Sequence, residues 1–159
     1  MVTIKQGQLP TSPQIFPGCP RKQRITIQQR LRPLIGTLGD ITLLNGKAFG
    51  GTIRSVGSTS FVVSVNKKNV AINYNNLASF RIEVNPQRVN FKAVVRTKTL
   101  GILNAINIRI GSNFVEIISV VPENDPDVIF FFRHIIPFNE IIAIACNEIK
   151  KCSCRRSSK

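Results

Sequence analysis

The sequence predicts an all-β fold: two small barrels in tandem, with an N-terminal arm and a C-terminal tail. Three observations lead there. Apolar residues, rich in Ile and Val with ten Phe, recur in short alternating runs, which suits strands. Gly, Asn and Pro fill the gaps between the runs, at the roughly 8–12-residue spacing of an all-β domain. A run from Ile53 to Val62 recurs in gapped form from Ile108 to Val115, which signals a duplication.

Residues 1–33 form the arm. Four of the nine prolines lie in its first twenty residues (Pro10, Pro13, Pro17, Pro20), so neither a helix nor a central strand is expected there. Cys19 sits in a Pro-Gly-Cys-Pro corner. Arg21, Lys22, Arg24, Arg30 and Arg32 follow without an acid between them. Ile27 to Leu31 fits a strand or a short helix, and Pro33 ends either.

Residues 34–84 form the first predicted barrel. Strands are expected over Leu34–Leu44, Ala48–Ser55, Phe61–Val65, Val70–Tyr74 and Leu77–Val84. Asn45-Gly46 marks a turn. Gly50-Gly51 is expected to bend the second strand sharply. Asn66 to Asn69, with Lys67 and Lys68, makes a hairpin. Residues 85–149 form the second barrel, with strands expected over Phe91–Thr97, Ala105–Ile110, Phe114–Val121, Val128–Phe132 and Ile141–Ala145. Residues 150–159 are a basic Cys-Ser-Cys tail.

The 159 residues carry a net charge of +14, which predisposes the surface to polyanions or acidic proteins. Candidate polyanion-binding residues are Arg21, Lys22, Arg24, Arg30, Arg32, Lys67 and Lys68. The single His (His134) and the lack of paired acids leave no catalytic constellation, so no enzyme is expected. Glu123, Asp125 and Asp127 alternate in a Pro-flanked loop but lack the Gly and distal Glu of an EF-hand. Cys146, Cys152 and Cys154 lack zinc-site spacing, so no metal or other cofactor is expected. Cys19, Cys146, Cys152 and Cys154 instead suit disulfide cross-linking, within or between chains; Cys19, Cys152 and Cys154, on the extensions, suit links between chains, and the basic neighbours of the last two favour thiolate exchange. No secretory signal and no apolar run near 20 residues is seen, which predicts cytoplasmic synthesis and no membrane span.

The stretch Leu44 to Val65 resembles the first signature of the Sm-like (SH3-type) barrel, with Gly46, Gly51, Ile53, Val62 and Ser64 at the matching places. Gly57 and Phe61 stand where that family places its RNA-binding Asp and Asn, and Ala78-Ser79-Phe80-Arg81 replaces its Arg-Gly pair. Val70-Ala71-Ile72-Asn73-Tyr74, Phe80-Arg81-Ile82 and Ile136-Pro137-Phe138-Asn139-Glu140 are similar to segments of the Sm-like domains in spore coat and exosporium proteins of endospore-forming bacilli, the spore coat protein B family. That resemblance implies a non-enzymatic structural protein, made in the mother-cell cytoplasm and deposited on the spore surface as a coat, exosporium or appendage component. It implies self-association, contacts with other spore-surface proteins and disulfide cross-links. An Sm-like RNA-binding regulator using the basic arm is the alternative.

Overall fold

The computed structural model describes residues 13–86, 88–89, 91–122 and 129–148. Strands carry it: β1 (Gln14–Ile15), β2 (Leu38–Leu43), β3 (Ala48–Val56), β4 (Ser60–Val65), β5 (Lys68–Asn73), β6 (Leu77–Val84), β7 (Phe91–Thr97), β8 (Ile102–Ala105), β9 (Asn107–Ile110), β10 (Phe114–Pro122), β11 (Ile129–Pro137) and β12 (Ile141–Glu148). One short helix, α1 (Ile27–Leu31), precedes β2, and 3-10 turns span Arg32–Leu34, Tyr74–Asn76 and Phe138–Glu140. The fold is all-β in two sheets. One has eight strands in the order β5-β4-β3-β2-β6-β11-β10-β9; the other has four in the order β1-β12-β7-β8.

The registers of the two halves repeat. Leu43 pairs with Leu77 as Thr97 pairs with Ile141, and Ile41 with Phe80 as Val95 with Ile144. Phe61 pairs with Ile72 as Val115 pairs with Ile136. Turn bonds match as well. Gly57 N–H donates to Ser60 C=O at 2.8 Å, and Gly111 N–H to Phe114 C=O at 2.8 Å. Tyr74 N–H donates to Thr59 C=O at 3.2 Å, and Phe138 N–H to Asn113 C=O at 3.0 Å. Thus β2–β6 recur as β7–β12, with β3 answered by β8 and β9 together. The halves meet where β6 pairs antiparallel with β11, from Phe80 opposite Ile135 to Val84 opposite Phe131.

Two apolar clusters follow from this layout. The first gathers Ile41, Ile53, Phe61, Val63, Leu77, Phe80 and Phe114; the second gathers Val95, Ile110, Val115, Ile117, Ile136 and Ile144. Phe114, from the second half, lies in the first cluster. The shared sheet therefore carries packing across the joint.

Several expectations need correction. Residues 13–33 are not a separate arm. Ile27 and Leu31 are buried in the first cluster, so Ile27–Leu31 takes the helical option. Thr26 caps α1 by a reciprocal exchange with Gln29, the capping box that satisfies two orphan donors. The first strand of the eight-stranded sheet starts at Leu38, because Arg32–Leu34 turns instead of extending. β11 is one nine-residue strand through Pro137, longer than the expected Val128–Phe132. The pairing of β3 with β4 is irregular between Ile53 and Ser55. Gly51 also serves packing: a Cβ there would lie 3.3 Å from Ile41, Val63 and Val65. The first twelve residues and the acidic loop with Glu123, Asp125 and Asp127 lie outside the described residues.

Candidate functional site

The described surface that carries the most chemistry is the outer edge of β12, where the N-terminal segment docks. β1 runs parallel to β12, with Gln14 opposite Ala143 and Ile15 opposite Ile144. Phe16 N–H donates to Ile144 C=O at 2.9 Å. Gly18 has φ +102°, and a Cβ there would meet Cys146 C=O at 3.0 Å, so this close, left-handed step suits glycine. Cys19 then forms a disulfide with Cys146. Ile15, Cys19 and Cys146 pack against the second cluster.

This pairing changes the expected cysteine chemistry. Cys19 and Cys146 bond within the chain, across 127 residues of sequence, and so are not free thiols for links between chains. The spacing carried no sign of that pairing, because only the parallel docking of β1 brings the two together. Cys152 and Cys154 lie outside the described residues.

The basic residues do not form one patch. Arg21, Lys22 and Arg24 are exposed on the strap between β1 and α1, Arg32 is exposed in the turn after α1, and Lys67 and Lys68 lie at the β4–β5 hairpin. The Lys22 ammonium sits 5.2 Å from the Phe138 ring centre, a cation–π approach. Phe138 borders a 260 Å³ cleft also lined by Tyr74, Asn75, Asn113 and Asn139. Burial, only partly offset by the Arg32 charge, pushes the Tyr74 hydroxyl up to about 12, and the hydroxyl donates to Gly57 C=O at 2.8 Å. Arg30 is already committed: its guanidinium bonds the buried Glu116 carboxylate, which also pairs with Arg133 at 3.0 Å. The one acid in the apolar run Phe114–Val121 is the sequence signal for this triad, but its partners stand on distant segments.

His134 is held within the eight-stranded sheet. It is buried on β11, and its Nε2 lies 2.8 Å from Ser119 Oγ. Burial first, and the Arg81 charge second, hold its pKa down at about 4. A serine beside a neutral imidazole is a proton-transfer pair in principle, but Ser119 is itself buried. Asp40, in the same 450 Å³ cleft as His134, pairs with Arg81 at 2.8 Å. Glu140 is fully buried, and its Oε2 accepts from Thr99 N–H at 2.7 Å and Leu100 N–H at 3.1 Å. It thereby holds the β7–β8 turn. Among the described residues no group of His, Cys, Asp and Glu is placed to hold a metal ion. Among the described residues no helix is long and apolar enough to cross a membrane.

No protein-family model, curated protein or solved structure matches the chain.

Proposed function

We propose that this chain is a non-enzymatic structural and assembly protein of the bacterial spore surface. It is built as two Sm-like barrels and self-associates through strand edges and disulfide cross-links. The observation that carries the reading is the β6–β11 joint. It is a strand-to-strand bond between repeated units, and such a bond extends between chains wherever equivalent edges meet. The repeated registers support the tandem-barrel description. The covalent role falls to Cys152 and Cys154, in the basic setting that favours exchange.

The purified full chain should form ladders on non-reducing gels after oxidation. These should collapse with reductant and disappear in a C152S/C154S variant. A single monomeric band after oxidation overturns the cross-linking role. Antibody labelling of intact spores tests the location, and label confined to the cytoplasm overturns it.

One observation favours a second reading, RNA binding by the basic strap. Lys22 over Phe138, beside a cleft with Tyr74 and three Asn, combines a cation, aromatic rings and amides. That reading requires a nucleic-acid complex whose affinity falls steeply with salt. A low-salt preparation free of excess 260 nm absorbance, with no RNA gel shift, rejects it.

A further inference from the structure

Among the strand edges of the two described sheets, those of β5 and β12 stand in different states. β5 closes the eight-stranded sheet with its outer side open, and Lys68 to Ala71 are exposed. β12 lies one strand from the end of the other sheet, because the two residues of β1 cover part of it.

The internal duplication identifies what fits each edge. In the joint inside the chain, Phe80 lies opposite Ile135 and Ile82 opposite Arg133. Phe80 and Ile144 hold equivalent register positions, opposite Ile41 and Val95. Ile135 and Ala71 are equivalent too, opposite Glu116 and Val62. Repeating the joint between two copies therefore sets β5 of one against β12 of the next. Ala71 then faces Ile144, and Asn69 faces Cys146.

The N-terminal segment holds that place. Its Phe16 N–H already occupies Ile144 C=O. The Cys19 and Cys146 Cα atoms are 4.8 Å apart, the separation of neighbouring strands. The segment thus lies where an added strand would lie, yet covers only part of an eight-residue edge.

We infer that the outer edge of β12 is a docking site for β5 of a second copy of this chain, closed by residues 13–19 acting as a plug that the Cys19–Cys146 disulfide locks in place. The inference rests on the assembly reading above. A small dithiol opens the lock by exchange. One of its thiolates attacks a sulfur of the bond, and its second thiolate resolves the mixed disulfide. The protein gains two electrons and two protons as two thiols, and the reductant closes to a disulfide. The freed edge then pairs head to tail, which builds a ring or an open chain.

β5 offers a selective block. The turn at Asn66-Lys67 has two residues, both with positive φ, so Val65 and Lys68 form a hydrogen-bonded pair. By alternation Val70 and Ile72 bond β4, while Asn69 and Ala71 turn their N–H groups outward. Ala71→Pro removes one outward donor and leaves the β4 ladder whole.

The test is sedimentation of the full chain, each protein also carrying C152S/C154S so that tail disulfides play no part. The oxidised chain should stay small. Dithiothreitol treatment, or C19S/C146S, should raise the weight-average mass at least about twofold. Adding A71P to C19S/C146S should return the mass to the starting value with an unchanged far-UV spectrum, which separates edge pairing from aggregation of unfolded chain. Equal assembly with the lock closed and open, or assembly that A71P leaves intact, overturns the plug but leaves the assembly reading standing. Absence of assembly in every form overturns both.

Discussion

At the scale of single residues, buried polar groups decide where the molecule is sensitive to its conditions. Glu116 is flanked by Arg30 and Arg133, so its charge is balanced on both sides, as a buried ion needs. His134 is different. Its neutral form is the folded form, because burial holds its pKa near 4 against an ordinary 6.5. The unfolded chain therefore binds the proton first as pH falls, and protonation favours unfolding. The stability held above pH 6.5 is lost progressively between about 6.5 and 4, by roughly 2–3 kcal/mol at the low end. Urea denaturation at pH 7.0 and 5.0 should show that decline. His134→Gln keeps a polar partner for Ser119 and should flatten the slope across this window. An unchanged slope in the variant rules out His134 as its source.

At the scale of elements, strand positions were legible because alternation is local. β6 and β7 occupy the expected Leu77–Val84 and Phe91–Thr97, where apolar and polar residues alternate or run together between clear turn signals. Elements set by distant contacts were not legible. α1 has five residues, too few to hold a helix alone, and its Thr26–Gln29 capping box is an ambiguous sequence signal until Ile27 and Leu31 find the first cluster. The expected strand stops at Phe132, short of the end of β11, because Arg133 and His134 interrupt the apolar run, and their partners Glu116 and Ser119 lie on another strand. The β4–β5 hairpin carries a local conflict that invites a test. Asn66 has φ 52° and Lys67 φ 69°, a conformation that Asn tolerates and Lys does not favour. Lys67→Gly completes the Asn-Gly pair preferred in this turn. Relief of left-handed strain outweighs the greater unfolded-state freedom of glycine, so stability should rise by about 0.5–1 kcal/mol. A lower urea midpoint for the variant contradicts that balance.

At the scale of the whole molecule, the all-β class and the repeat were legible, while the tie between the chain's two ends was not. Duplication leaves a trace in sequence because both copies need the same turns, as at Gly57 and Gly111. The Cys19–Cys146 bond leaves none, because connectivity is not encoded in spacing. It nevertheless governs the global balance. It spans 127 residues, and in the chain-entropy account a loop of that size restricts the unfolded chain by about 4–5 kcal/mol. Under reduction the urea midpoint should fall, and C19S/C146S should have the same low midpoint with or without dithiothreitol. The size of the fall separates two native states. If residues 13–19 stay docked after reduction, the loss reaches the full loop value. If they leave the β12 edge, the reduced native state is lower in free energy than the docked one, and the loss falls short by that difference. Amide exchange reports the same event directly. Released plug residues exchange at once, while amides of β7 and β10 stay protected until global unfolding. Full protection of Phe16 N–H in the reduced chain means that the plug holds without its lock.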